Sequence, residues 1–308
     1  GRRRALMIGI NYRGTRAELR GCIQDVHNMQ RLLTETFGWR PDSIRTLTDD
    51  NPRYMPTREN IIKQLHWLAD GARAGDVLFF HYSGHGAQKE DPNGYEEDGM
   101  NETIVPVDFQ SSGQITDDEI SDIIVKPLPE GLRLTAVMDC CHSGTGLDLP
   151  FTFRARGGWK EETNPFHSAC DVQMFSGCED DDTSADASNP YGQPGGAMTT
   201  AFCEVLRSRH APSYPEFMQF LHLTMKQKRF KQRPQLTSTQ AFDYSRPFNL
   251  GEIIPNSNAK LGRTVRRRFP PNPRKSHGDD PLKEMLAMAA GALVVGGLAA
   301  MVFDAVLA

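Results

Sequence analysis

Apolar residues recur along roughly the first 250 positions in two alternating rhythms. Short runs such as Ala5–Ile10, Asp76–Tyr82 and Arg133–Cys140 carry consecutive Val, Ile, Leu and Phe, and they predict strands. Ser43–Leu47, Thr103–Val107 and Val172–Gly177 read the same way. A run that is apolar at every position suits a strand covered on both faces of a parallel sheet. Between these runs the apolar spacing lengthens to three and four, which predicts helices over Gln24–Phe37, Thr116–Val125, Ala197–Arg207 and Tyr214–Lys228. In TRENIIKQLHWLADG, Thr57 can cap the amino end. Ile61, Ile62, Leu65 and Leu68 form one face, and Gly71 can end the helix. Strands alternating with helices predict an α/β fold with helices on both faces of the sheet.

The rhythm stops after Pro255. KLGRTVRRRFPPNPRKSHGDDP is rich in Lys, Arg and Pro and offers almost nothing to bury, so residues 256–281 read as a basic, Pro-rich linker. Residues 282–308 are apolar and dominated by Ala and Gly, with an uncharged stretch over 285–303 before Asp304. Two readings stay open for that segment. It can contact or cross a membrane, with the basic cluster holding the preceding side cytoplasmic. It can equally be an Ala-rich helix that docks on the domain or on a partner, its small residues Ala292, Gly296 and Ala300 allowing close approach.

Composition narrows the function classes. With 38% hydrophobic and 24% charged residues and a net charge of −4, the chain has the balance of a soluble globular protein and no whole-molecule attraction to nucleic acid. Its 6 cysteines are too scattered for a disulfide scaffold, and the amino terminus lacks the pattern of a secretory leader. Reduced thiols in the cytoplasm or nucleus are the expectation.

The candidate chemistry lies where two apolar strands end. In open α/β sheets, sites form beyond the carboxyl ends of the strands. The first end carries YSGHG at 82–86, and the second carries DCCHSG at 139–144. Alternation along a strand places Ser83 and His85 on one face and Tyr82 on the other. The same count places Asp139 with Cys141 and turns Cys140 inward with Met138. Cys141 is therefore the expected nucleophile and His85 its base, since an imidazole on a neighbouring strand can stabilise a thiolate. His142 is adjacent in sequence, but neighbours on an extended chain point apart, which leaves it a supporting role.

These two motifs, with LRGCIQDV at Leu19–Val26, EEDGMNETIVPVD at Glu96–Asp108, SGCEDDDTSADA at Ser176–Ala187 and QRPQLTST at Gln232–Thr239, resemble the metacaspases of the caspase-like cysteine proteases. The short segment between the two halves resembles type I members, and the caspase pattern Gln-Ala-Cys is absent. The resemblance implies a caspase-like three-layer sandwich over 1–255, with a mostly parallel central sheet. That domain would comprise a large-subunit part to 149, a connector over 150–170 and a small-subunit part from 171. It implies a His85–Cys141 dyad with the backbone N–H groups of Gly86 and Cys141 holding the oxyanion. It implies a primary pocket formed by Cys22, Asp25, Ser83 and Asp139, whose carboxylates suit a substrate Arg or Lys. It implies activation by Ca²⁺ at Asn101, Asp117, Asp118 and Asp148, with Asn101 replacing the family's usual Asp and so lowering the site's charge. Thr116 followed by three acidic residues is also an ordinary helix start, so that reading of Asp117 and Asp118 stays open. Arg154, Arg156 and Lys160 in the connector offer bonds for self-cleavage. The acidic run Glu179–Asp182 either lines the cleft or is a solvated loop. The expected partners are peptides with Arg or Lys at the cleaved bond, acted on by a monomer. The alternative is a binding or proteostasis factor in which proteolysis is dispensable.

Overall fold

The computed structural model describes residues 1–140, 146–154, 158–178, 196–209, 211–230, 232–250 and 266–269. In chain order the regular elements are β1 (Arg3–Gly9), α1 (Cys22–Arg31), β2 (Ile44–Thr48), α2 (Arg58–Ala69), β3 (Val77–Ser83), β4 (Gly86–Glu90), β5 (Met100–Ile104), α3 (Phe109–Ser112), β6 (Ile115–Thr116), α4 (Asp117–Ile124), β7 (Arg133–Asp139), β8 (Phe151–Arg154), β9 (Gly158–Glu161), β10 (Asp171–Cys178), α5 (Ala197–Ser208), α6 (Tyr214–Gln227) and β11 (Arg233–Ser238).

The main sheet runs β2-β1-β3-β7-β10-β11-β8-β9. Its first five strands are parallel, and β11, β8 and β9 complete it antiparallel. The unbroken apolar runs behave as their pattern predicts: β3 and β7 are central, adjacent and buried at every position. Side chains alternate between two cores. On one face Ile8, Tyr82, Met138 and Cys140 pack with Ile61, Leu65 and Leu68 of α2 and with Ile120 and Ile124 of α4. On the other, Met7, Phe79, Val137 and Phe175 pack with α1, α5 and α6. An aromatic cluster anchors that second layer. Phe217 stacks on Phe248 at 4.7 Å between centroids, and Phe175 meets Phe202 edge-on at 5.4 Å. Each such ring buried in full is worth about 2–3 kcal/mol, which fixes α5 and α6 against the sheet.

Caps behave as the sequence predicts. The Thr57 side chain accepts from the Asn60 N–H, and Thr116 with Glu119 forms a reciprocal capping box on α4. Three expectations need correction. The strand predicted at Thr103–Val107 forms earlier, as β5, because Pro106 cannot donate to a ladder. It pairs antiparallel with β4 and β6 in a separate small sheet. The helix predicted over Gln24–Phe37 is α1 followed by a wider π turn over Leu32–Thr36. The connector is built around a hairpin: β8 pairs with β9 at the sheet edge, so Arg154 and Lys160 belong to strands, and Arg156 lies outside the described residues.

Among the described residues no helix is long and apolar enough to cross a membrane, and the apolar segment 282–308 lies outside them. Of the linker, only 266–269 is described, and Arg266 within it is seated among acidic side chains rather than solvated. The linker therefore does have something to bury.

Candidate active site

The site lies beyond the carboxyl ends of β1, β3 and β7, whose parallel register puts Gly9 beside Ser83 and Ser83 beside Asp139. His85 follows β3 by two residues and is fixed from three directions. Its Nε2 lies 2.7 Å from the Ala17 carbonyl oxygen, which can only accept, so Nε2 carries the proton and Nδ1 is left as the basic nitrogen. Its backbone N–H donates to the Tyr12 hydroxyl at 3.1 Å. Its carbonyl accepts from the Tyr82 hydroxyl at 2.7 Å. The Tyr12 ring packs against the imidazole, centroids 4.7 Å apart. Tyr12 itself is held at φ 51°, a costly conformation for a bulky residue, and its hydroxyl is tied to the Val105 carbonyl at 2.6 Å. Burial lowers the His85 pKa below the usual value, so the ring is neutral at physiological pH. Gly86 opens β4 directly after it.

Cys141, with 142–145, lies outside the described residues, as do the acidic residues 179–182. Its neighbours follow the predicted alternation. Cys140 packs in the core with Met138 and Tyr82, whereas Asp139 projects to the opposite side toward α5.

The residues predicted to form the pocket come together. The Ser83 hydroxyl donates to Asp25 Oδ2 at 2.7 Å. Asp25 reaches the sheet because α1 begins close against β1: a Cβ on Gly9 would clash with the Cys22 carbonyl. The Cys22 N–H donates to the Asn11 side chain at 3.0 Å, and burial pushes its thiol up to about 12, so Cys22 is a neutral wall and no rival nucleophile. Asp25 is fully buried and Asp139 nearly so. Burial, then the neighbouring Asp139 carboxylate, pushes Asp25 up to about 8, and burial raises Asp139 as well. Among the described residues, Asp25 Oδ1 has no hydrogen-bond partner.

The amino end of α5 covers this carboxylate pair. The Gly196 N–H donates to Asp25 at 2.8 Å and the Thr199 N–H to Asp139 at 2.7 Å. Both bonds use the free amides and positive pole that a helix start provides. Position 196 must be glycine, because a Cβ there would overlap the Asp139 carboxylate. Thr199 also bonds His81 Nε2 at 2.9 Å, and His81, whose pKa burial lowers to about 3, stays neutral. Gly196, Thr199, His81, Tyr12 and the Ala17 carbonyl are all site components that the motif reading did not reach.

A second cluster lies around the start of α4. Asn101 and Asp117 are buried, and the Glu102 N–H donates to Asp117 at 3.2 Å. The Asn101 Oδ1 is buried without a partner among the described residues. Asp118 and Asp148 face the guanidinium of Arg266 at 3.7 and 2.5 Å, with Glu96 at 3.8 Å. The oxygen-only donor set suits a hard cation. Among the described residues, however, no three acidic or other ligating side chains converge as a metal site. As held here, the carboxylates surround an arginine.

The sequence profile described as metacaspase, peptidase C14 domain, matches residues 3–150. Metacaspase-1 of Plasmodium falciparum is 39% identical over 279 residues, covering 88% of this chain and 45% of its own. Metacaspase-1B of Neurospora crassa is 42% identical over 291 residues, covering 79% and 68%. The chain thus spans under half of the Plasmodium protein and about two thirds of the fungal one. Among solved structures, a Geobacter sulfurreducens protein superposes with a TM-score of 0.56 at 21% identity, over 80% of this chain and 97% of the other.

Proposed function

Because the chain belongs to the metacaspase family, we propose that it is a cysteine endopeptidase cleaving after Arg or Lys, with Cys141 as nucleophile and His85 as base. The observation that supports the specificity best is the Asp25–Asp139 pair, two buried carboxyls at the strand end that leads to His85, with no cation between them among the described residues. A buried carboxylate needs a counter-charge, and a substrate guanidinium or ammonium supplies one. His85 Nδ1 takes the thiol proton while Nε2–H stays on the Ala17 carbonyl. The Cys141 sulfur bonds to the scissile carbonyl carbon, the C–N bond breaks, and the imidazolium protonates the leaving amine. Water then hydrolyses the thioester. The Gly86 and Cys141 N–H groups are the proposed oxyanion donors.

We further propose that Asn101, Asp117, Asp118 and Asp148 form a calcium-responsive basin. The donor chemistry, the orphaned Asn101 Oδ1 and the cation already seated there support this reading. Self-cleavage in the connector would most readily use Arg156, since Arg154 and Lys160 are paired in strands. The test is a peptide-library cleavage assay with and without calcium. Cleavage after Arg and Lys is expected, none after Asp, with loss in Cys141→Ala but not in Cys140→Ala. Activity lost in Cys140→Ala and kept in Cys141→Ala overturns the assignment.

A further inference from the structure

We infer that Arg266 is an internal counter-cation: it docks the 266–269 segment into the acidic basin and must leave before a divalent cation binds there. This rests on the basin being a cation site. The guanidinium is largely buried and contacts three carboxylates, Asp148, Asp118 and Glu96. It also lies over the Tyr95 ring, 5.3 Å from its centroid. Asp117 and Asn101 belong to the same cluster, as the next residue back from Asp118 and as a wall of the basin that Arg266 lines. Among the described residues, no side chain other than Arg266 offers a positive charge to Asp148 at contact distance.

The seat is specific, since backbone contacts place the side chain. The Arg267 N–H donates to Asn164 Oδ1 at 2.9 Å, and the Asn164 amide returns a bond to the Arg267 carbonyl at 2.9 Å. The same amide donates to the Tyr95 carbonyl at 3.0 Å, and the Phe269 N–H donates to the Gly94 carbonyl at 2.7 Å. The 94–96 loop and the tail segment are therefore held as one unit with Arg266 aimed inward. The seat is also imperfect: Arg266 Nε is buried with no acceptor among the described residues. An unmade bond to a buried donor costs free energy, so a cation that satisfies the carboxylates and releases the arginine to water removes that cost.

The position gives the exchange a route to the chemistry. Asp148 lies seven residues after Cys141 in the segment leaving β7. Its backbone is held at φ 53°, and its carboxylate is the nearest contact of the guanidinium. Changing its partner acts on the same short stretch of chain that carries the nucleophile.

The test compares the full chain with Arg266→Gln and Arg268→Gln, all on a Cys141→Ala background. Arg268 is exposed, and among the described residues the basin carboxylates pair with Arg266 and not with it, so its variant removes one charge without freeing the seat. Calcium affinity is read by calorimetry, and amide exchange is read at Arg267 and Phe269. Arg266→Gln is expected to tighten calcium binding at least about fivefold, the lower range of ordinary site–site coupling, with Arg268→Gln within twofold of the parent. Calcium is expected to accelerate exchange at both amides in the parent. Equal affinities in all three proteins, or an equal gain in both variants, overturn the exchange. No calcium binding in any of them also overturns it, and places the failure in the cation-site reading. Protected tail amides would then still report the docked arginine.

Discussion

Replacing Asp25 by Asn tests the pocket through stability and activity at once. Asp25 Oδ2 accepts from Ser83 and Gly196, and an Asn oxygen can keep both bonds. What changes is the ionisation. The folded carboxyl is pushed up to about 8, whereas an unfolded one has its ordinary value near 4. Between those limits the folded protein holds a proton that the unfolded chain has lost, so wild-type stability falls as pH rises through this window. The penalty grows by about 1.4 kcal/mol per pH unit. From pH 5 to 8 the stability of Asp25→Asn relative to wild type should therefore rise by on the order of 4 kcal/mol. For a domain of this size that is on the order of 10 °C in Tm. Thermal unfolding of both proteins, each also carrying Cys141→Ala to prevent self-digestion, should show melting curves that diverge steadily with pH. Kinetics on the active forms should show the opposite sign. Losing the carboxylate that meets a substrate cation costs about 2–5 kcal/mol, at least thirtyfold in kcat/KM for Arg peptides. Parallel Tm–pH curves for the two proteins would refute the reasoning, because they would mean that the carboxyl is not held in a charge-penalising site.

Three further outcomes follow from the same geometry. For Arg peptides, kcat/KM should rise with pH up to about 8 as Asp25 ionises, while alkylation of the nucleophile by neutral iodoacetamide should lack that limb; identical profiles would remove Asp25 from recognition. Gly196→Ala forces a methyl group into the Asp139 carboxylate and should lower both Tm and Arg-peptide cleavage, the latter at least tenfold, a loss of about 1.4 kcal/mol in transition-state binding; wild-type behaviour would mean that α5 does not start on the pocket. Asp171→Ala strips the buried Arg133 guanidinium of its paired carboxylate and should cost about 3–5 kcal/mol in chemical denaturation, with a loss under 1 kcal/mol counting against burial of the pair.

What the sequence showed and hid follows from the range of the interactions. The buried parallel strands were legible because burial on both faces writes an unbroken apolar run, as in β3 and β7. The same alternation sorted Ser83 and Asp139 to the pocket and Cys140 to the core. The hairpin β8–β9 was hidden, since four-residue strands at a sheet edge alternate too briefly to register. The small sheet was hidden because β4, GAQKE, is mostly polar. In the site, side chains within a motif were readable, but the elements that orient them were not. The Ala17 carbonyl is backbone, which no residue pattern advertises. Gly196 and Thr199 come from a helix that begins more than fifty residues after Asp139, and only the fold brings them together. Arg266 sits in a run of three arginines, and nothing in such a run marks which side chain will be buried.

The central claim is that this chain carries an Arg/Lys-directed cysteine nucleophile at Cys141. Its most direct test is labelling of the intact protein with a peptidyl electrophile ending in Arg, then with its Asp-ended counterpart, with the modified residue located by mass spectrometry. The account predicts a single adduct on Cys141 from the Arg reagent, abolished in His85→Ala and weak in Asp25→Asn, and none from the Asp reagent. An adduct on Cys140, or preferential labelling by the Asp reagent, would contradict it.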